Sequence, residues 1–348
     1  MINKYQALIN ELRLRQEDVE AVHKNSRVLI VDGLNTFIRA YAASPVTNSD
    51  GEHVGGISGF LMSVGHAIKA INPTRLVVVF DGKDGSARRR SIYPDYKANR
   101  KVKIRLNRSE TVDKEDNQLS QLMRLTEYLD VMPLTTVVVD KAEADDVIAY
   151  LSNDYLKEKD SQVFIMSSDK DFMQLVDDRV HVWSPTKKKM FYTEDVIQDF
   201  KVHPKNFALY RSLIGDNSDN IPGVKGLGAP TLLERYPRFA EEPMTLDGFF
   251  DYAKELAASN PKMKIYQKVV EAEKDIRLYF EIIQLEVSNI NMSNKMKIIG
   301  TIEQPHNKLA KIKFHTMLIE DKMTTAIKNV EMWLKETTSK LDNYILEN

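Results

Sequence analysis

At 348 residues, 43% of them hydrophobic, the chain is long enough to bury a proper core and to hold one large domain or two. It has no cysteine, which excludes disulfides and thiolate metal sites, and no run approaching the ~18 apolar residues of a membrane span. The formal net charge is −1, yet setting aside nine acids that emerge below as candidate metal ligands leaves the remainder at +8, the charge of a polyanion binder with a local acidic hole.

Met1 to Ser26 is polar and lacks the apolar centre of a signal peptide, so a cytoplasmic protein is expected. Residues 2–25 read as a charged helix with a weak apolar stripe (Leu8, Leu12, Val19, Val22) whose default role is packing. Arg27-Val28-Leu29-Ile30-Val31-Asp32-Gly33 reads as a buried strand closed by an acid and a turn. Ligands of an open parallel sheet sit beyond the carboxyl ends of its strands, where Asp32 falls, although an Asp there is more often a plain turn residue. Gly55-Gly56-Ile57-Ser58-Gly59 leads into a helix with Ile57, Phe60, Leu61, Val64 and Ile68 on one face. Arg75 to Gly82 repeats the device of apolar strand, Asp81 and glycine. Two strands separated by a helix imply a parallel βαβ unit, with both carboxylates at one edge of the sheet.

Lys83 to Arg108 carries ten basic residues, among them Lys83, Arg88, Arg89, Arg90, Lys97 and Arg100, against Asp84 and Asp95. Tyr93 and Tyr96 are interleaved; cations meet phosphates and aromatic faces stack on bases, so a nucleic-acid contact is favoured over a solvated basic helix. Residues 117–130 predict a helix with Leu119, Leu122, Met123, Thr126 and Leu129 facing the core. A third strand, Thr135 to Val139, runs into Glu143-Ala144-Asp145-Asp146 and a helix through Tyr150, Leu151 and Tyr155. The fourth strand, Gln162 to Met166, delivers Ser167-Ser168-Asp169-Lys170-Asp171. An acidic pair at a helix start is usually a cap. Repetition at successive strand ends favours magnesium, which prefers hard oxygen ligands.

Arg179–Trp183 and Lys189–Tyr192 read as a fifth strand and its extension, with Trp183 in the core. From about residue 193 the chain turns helical. Pro204 opens a helix to Ile214, followed by Gly215-Asp216-Asn217-Ser218-Asp219-Asn220 and Ile221-Pro222-Gly223-Val224-Lys225-Gly226-Leu227-Gly228. This glycine-rich turn between helices can point backbone N–H groups at a phosphate, a reading strengthened by the Asp216-x-x-Asp219 just upstream. Helices are expected over 261–285 and from Thr325 to Leu341. The lysines Lys308, Lys311 and Lys313 read as a solvated face.

The assembled pattern resembles the 5′-nuclease superfamily of flap endonucleases and 5′-3′ exonucleases, and within it the stand-alone phage 5′-nucleases of the ribonuclease H type. The motifs that carry the likeness are the Asp after strand one, the Asp after strand two, Glu-Ala-Asp-Asp, Ser-Asp-Lys-Asp and Gly-Asp-Asn-Ser-Asp-Asn-Ile-Pro-Gly-Val-Lys-Gly-Leu-Gly, within residues 27–290. The resemblance implies an α/β fold with a mostly parallel central sheet flanked by helices, a helical arch and a C-terminal helix-turn-helix region. It divides the chain into an N-terminal extension (1–26), a catalytic domain (27–200) containing the arch (83–116), a DNA-binding region (201–290) and a C-terminal helical segment (291–348).

It further implies that Asp32, Asp81, Glu143, Asp145, Asp146, Asp169, Asp171, Asp216 and Asp219 form the metal cluster, directly or through water. Tyr96 would stack on a terminal base, with Lys97 and Arg100 on the scissile phosphate. The hairpin with Gly223, Lys225, Gly226 and Gly228 would hold duplex DNA, with a potassium ion on its carbonyls. Pro230 departs from the family's usual basic residue at that place. The expected reaction is hydrolysis of phosphodiesters near the 5′ end of branched, nicked or RNA-primed DNA by two Mg²⁺ ions about 4 Å apart, replaceable by Mn²⁺. Asp32, Asp81, Glu143 and Asp145 are assigned to the first ion; Asp169, Asp171 and, more distantly, Asp216 and Asp219 to the second. A monomer working with a separate polymerase and a single-stranded-DNA-binding protein is expected. A non-catalytic branched-DNA binder is the competing reading, which the intact acid set disfavours. A nucleotide-binding Rossmann protein would need Gly-x-Gly-x-x-Gly after strand one, where the chain has Asp32-Gly33-Leu34-Asn35.

Overall fold

The computed structural model describes residues 25–99, 114–286 and 289–344. The expected helix over 2–25, all but its last residue, and residues 100–113 of the arch, Arg100 included, lie outside them.

Six strands form one sheet: β1 (Arg27–Asp32), β2 (Arg75–Asp81), β3 (Thr135–Val139), β4 (Gln162–Met166), β5 (Val180–Ser184) and β6 (Lys189–Phe191), in the order β3-β2-β1-β4-β5-β6. All neighbours are parallel except β5 and β6. The order reverses between β1 and β4, which opens a crevice at their carboxyl ends. Between the strands run α1 (Gly33–Ala43), α2 (Gly55–Ile71), α3 (Ala87–Ile92), α4 (Lys114–Asp130) and α5 (Ala144–Tyr150). The strands are apolar on both faces, as a sheet covered on both sides requires. Val28, Ile30, Val77, Val79, Val163 and Ile165 face one core with α5. Leu29, Val31, Leu76, Val78, Phe164 and Met166 face the other with α1, α2 and α4.

Beyond the sheet the chain is helical: α6 (Thr193–Phe200), α7 (Phe207–Ile214), α8 (Ala229–Arg235), α9 (Pro237–Glu241), α10 (Leu246–Ser259), α11 (Lys264–Glu271), α12 (Glu273–Ile283), α13 (Met292–Glu303), α14 (Lys311–Glu320) and α15 (Val330–Glu336). The C-terminal residues join both cores. Ile298 and Ile302 enter the first; Phe314, Met317, Leu318, Trp333 and Leu341 enter the second. Trp333 lies so close to Gly65 that a Cβ there would stand 2.6 Å from the indole Nε1. At the opposite edge of the sheet Arg75 is fully buried, its two terminal nitrogens donating to Asn25, Thr135 and the Ile302 carbonyl while its Nε has no partner among the described residues.

Three expectations need correction. Lys189–Phe191 does not extend the fifth strand but folds back antiparallel to it across a turn that contains Pro185 and a left-handed Lys188 (φ 48°). The buried face of α4 is Gln121, Leu125, Tyr128 and Leu129, while Leu119 and Met123 are 57% and 62% exposed. The apolar pattern misled there because polar groups anchor the helix: Gln121 accepts from the Gly56 amide (2.8 Å) and donates to the His53 carbonyl (2.6 Å), and the Tyr128 hydroxyl donates to Asp321 (2.7 Å). The helix expected from Thr325 begins only at Val330, after Asn329 in the left-handed region (φ 47°). Trp333→Ala would remove a large buried ring that Phe314 stacks on, and is expected to cost about 3–5 kcal/mol in a urea unfolding experiment; a loss under about 1 kcal/mol, the scale of a surface site, would mean the C-terminal helices add little to this core.

Candidate active site

The crevice at the carboxyl edge of the sheet is a cleft of about 730 Å³. Asp32, Asp81, Asp145, Asp169 and Asp216 line it, with Lys97 and Arg211 among their neighbours. Each acid arrives by its own route. Asp32 ends β1 and caps α1, accepting from the Asn35 amide (3.2 Å) and the Ser167 hydroxyl (3.0 Å). Asp81 ends β2 and accepts from the Ala144 amide (2.9 Å), which fixes the start of α5 and with it Asp145. Asp169 follows β4 and caps a short 3₁₀ turn, taking the Asp171 amide (2.9 Å).

A second group sits beside this one. Oxygens of Asp171, Asp216 and Asp219 all lie within 4.8 Å of one another. Asp216 and Asp219, assigned more distantly to the second ion, stand beside Asp171. Their loop is closed by paired amides, Asp216 to Ile221 at 2.7 Å and Ile221 to Asp216 at 2.8 Å. Gly215 (φ 87°) and Gly223 (φ 64°) make it possible, since a Cβ at Gly223 would strike the Gly215 nitrogen at 2.4 Å.

The remaining two acids face inward. Glu143 and Asp146 are buried around Arg89, which donates two bonds to Asp146 (2.7 and 2.8 Å), one to Glu143 and one to the Ile282 carbonyl (2.9 Å). Neither acid lines the cleft. Arg89, expected at a DNA phosphate, is 3% exposed, so the two carboxylates have captured it. Tyr96, expected to offer a face to a base, is also buried, packed by Ala208, Ile221 and Tyr279, with its hydroxyl on Glu143 (3.2 Å). The other Glu143 oxygen takes the Lys97 ammonium at 2.5 Å. Lys83 and Arg90 are exposed, and Arg88 pairs with Glu281 at 3.2 Å.

The base of the expected arch is tied to the second acid group. The Lys97 amide donates to the Asp219 carbonyl (3.1 Å), the Asn220 amide group to the Asp95 carbonyl (2.9 Å), and the Tyr93 hydroxyl to the Asn220 carbonyl (3.1 Å). Asn99 completes the clamp with the Asn220 side chain. On the hairpin, Lys225, Gly226 and Gly228 are exposed, and Gly226 (φ 91°) has open space where a side chain would be. Pro230 occupies the first turn of α8, where a missing N–H costs little.

Electrostatics follow from crowding. Burial, then the charges of Asp81 and Asp169, push Asp32 up to about 7. Burial and Asp169 push Asp171 up to about 8, even with Arg211 beside it. Asp145 is raised well above the usual range by burial and by Asp169, Asp32 and Glu143, against the pull of Lys97. Burial works to raise Glu143 as well, but Arg89 and Lys97 outweigh it and hold the carboxyl low. Asp216, also buried, is held low by bonds from Ser218 and by Arg211. The acids in the open part of the site offer hard carboxylate oxygens, and Asn35 and Ser168 beside them add only further hard oxygens, which fits a divalent metal of the magnesium type. Reading the sequence did not single out Arg211, Asn35, Ser167 or Asn220. Arg211 left one signal: it is a lone cation in the apolar helix Phe207-Ala208-Leu209-Tyr210-Arg211-Ser212-Leu213-Ile214, one turn before Asp216.

Residues 27–201 match the family model of the 5′-3′ exonuclease N-terminal, resolvase-like domain. A 5′-3′ exonuclease of Aquifex aeolicus (strain VF5) is 31% identical over 271 residues, 77% of this chain and 89% of the relative. The chain belongs to the 5′-3′ exonuclease family. It is therefore a nuclease. The thermostable DNA polymerase I of Thermus aquaticus is 36% identical over 214 residues, which make up 60% of this chain and 24% of the polymerase. The fold is similar to that of the bacteriophage T5 flap endonuclease solved with DNA and metal ions, at a TM-score of 0.60 and 21% identity, over 85% of this chain and 99% of the other. Among the described residues no helix is long and apolar enough to cross a membrane.

The raised carboxyls give the metal-free nuclease a pH signature. The folded protein keeps protons on Asp32 (about 7) and Asp171 (about 8) that the unfolded chain releases near the ordinary value of 3.8. Their contribution to stability is therefore fully present below about pH 4 and is lost as pH rises through 7 to 8. Thermal melts in EDTA should show the midpoint falling between pH 5 and 8.5, and a divalent cation should remove most of that fall. A midpoint flat across this range in EDTA would contradict the crowding described.

Proposed function

We propose that the cleft hydrolyses phosphodiesters near the 5′ end of branched, nicked or RNA-primed DNA, as a 5′-3′ exonuclease and flap endonuclease in primer removal or repair. The observation that carries this reading is the convergence of five carboxylates and four side-chain cations, Arg39, Lys97, Lys170 and Arg211, on one open cleft. Two Mg²⁺ ions, with Mn²⁺ as substitute, would supply positive charge at the attacking and departing oxygens. Asp32, Asp81, Asp145 and Asp169 are suited to one, and Asp171, Asp216 and Asp219 to the other. Asp146 and Glu143 then serve by holding Arg89, Tyr96 and Lys97 in place.

The chain's own groups do the remaining work. Lys97 stands at the cleft wall, 4.8 Å from the centre of the Tyr96 ring, where its ammonium can meet a scissile phosphate. Arg100 is the second cation assigned to that phosphate. Lys83 and Arg90 offer phosphate contacts along the incoming strand. Gly223, Lys225, Gly226 and Gly228 would grip the duplex backbone, with a potassium ion on the hairpin carbonyls. The enzyme would act as a monomer in the cytoplasm, alongside a separate polymerase and a single-stranded-DNA-binding protein.

Two variants test the reading. Asp169→Asn combined with Asp171→Asn should fold and bind branched DNA in Ca²⁺ while losing cleavage of a 5′-labelled flap in Mg²⁺; full cleavage would refute the assignment of the site. Lys97→Ala should lower the single-turnover rate by about 10²–10³-fold, as loss of a group that stabilises developing charge does, with a much smaller change in flap affinity. Equal losses in both would reduce Lys97 to a generic phosphate contact.

A further inference from the structure

The second acid group already holds a cation. Arg211 leaves α7 one turn before Asp216 and reaches back across the loop. Its Nε donates to Asp171 Oδ1 at 3.0 Å and its Nη2 to Asp216 Oδ2. The Arg211 side chain is 14% exposed and forms part of the cleft wall. Apart from the two carboxylates, its closest hydrogen-bonding contact is a long one, Nη1 to the Gly215 carbonyl at 3.5 Å.

Arg89 is the instructive contrast. It too neutralises a pair of carboxylates, but the Ile282 carbonyl and a two-pronged bond to Asp146 close it in, and it does not reach the cleft. Arg89 is fixed. Arg211 is held mainly by the acids themselves and borders about 730 Å³ of open space into which it can turn. Charge points the same way. The guanidinium bridges Asp171 and Asp216, two of three carboxylates whose oxygens lie within 4.8 Å of one another. A divalent ion favours such clustered hard oxygens, yet they are the ones Arg211 occupies, and two cations in one such cage repel.

We propose that Arg211 is an exchangeable counter-ion: it fills the Asp171–Asp216–Asp219 site in the metal-free enzyme and is displaced into the cleft when a divalent ion binds there. Displacement links two events. The ion settles among the acids, and the released guanidinium becomes available to a substrate phosphate, a planar fork suited to two oxygens at once. Arg211 is thus a positioning residue in the metal-free state and a phosphate ligand in the loaded one. This inference rests on reading the three acids as a metal site.

The test uses the full chain and Mn²⁺ as probe, counting bound ions by electron paramagnetic resonance. Asp216→Asn should lose one Mn²⁺ equivalent; if it keeps every equivalent at wild-type affinity, the metal-site reading itself fails. Given that loss, Arg211→Met should bind Mn²⁺ about tenfold more tightly at this site, because a competing unit charge has been removed from direct contact. Arg211→Lys should fall between. Unchanged or weaker Mn²⁺ binding by Arg211→Met, with the Asp216→Asn loss intact, overturns the counter-ion role. Should Arg211→Met fail to fold in EDTA, the wild-type protein decides: the Nε–H resonance of Arg211 should be protected without metal and lose protection as Mg²⁺ saturates. A resonance unaltered through saturation overturns the proposal.

Discussion

Like charge gathered at one edge of a sheet is the condition the rest of this molecule accommodates. Nine carboxylates from five separate segments converge near the ends of β1, β2 and β4, and their repulsion grows as burial removes the water that would screen it. Three side-chain cations answer it in different ways. Arg89 is sealed between Glu143 and Asp146 and makes that side of the cluster permanent. Lys97 spans from Glu143 to the open cleft. Arg211 sits between Asp171 and Asp216 at the wall. Among the described residues those three leave a deficit, and crowding with burial pushes Asp32 up to about 7 and Asp171 up to about 8. A deficit of this kind, in an oxygen-only cage opening on space wide enough for a polymer backbone, is what a metal-dependent nuclease needs.

The scaffold supplies rigidity where the chemistry needs it. Strands apolar on both faces bind two cores, and the reversal of strand order leaves room for the cleft without interrupting either. The clamp from Tyr93, Asp95, Lys97 and Asn99 to Asp219 and Asn220 makes the foot of the basic segment and the second acid group a single unit. A shift of one is therefore a shift of the other.

Much of this was legible in the sequence because it rests on local chemistry. An apolar strand closed by Asp-Gly announces both its direction and its ligand, and the repeat of that device at Asp32 and Asp81 fixes a parallel edge. The glycines at 215 and 223 announce a tight loop. What could not be read was which acid turns toward which cation. Glu143, Asp145 and Asp146 are near neighbours in sequence, yet α5 carries Asp145 to the cleft and Asp146 to Arg89, a partner 57 residues away. The face of α4 was misread for a similar reason: Gln121 and Tyr128 are buried by long-range hydrogen bonds that periodicity does not encode. Arg211 carried no motif, and its importance appears only when Asp171, 40 residues away, is brought beside it.

The strand order has a consequence for how the chain comes into being. Asp216 and Asp219 follow the last strand, so the second acid group is completed only after β1 to β6 have been made, and the Trp333 side of the core later still. Contacts of such long sequence separation form slowly and late. A nascent or partly folded chain can own the whole sheet and still lack the Asp171–Asp216–Asp219 group. Completion of the acidic edge thus marks the finished fold, because its last members come from beyond the last strand.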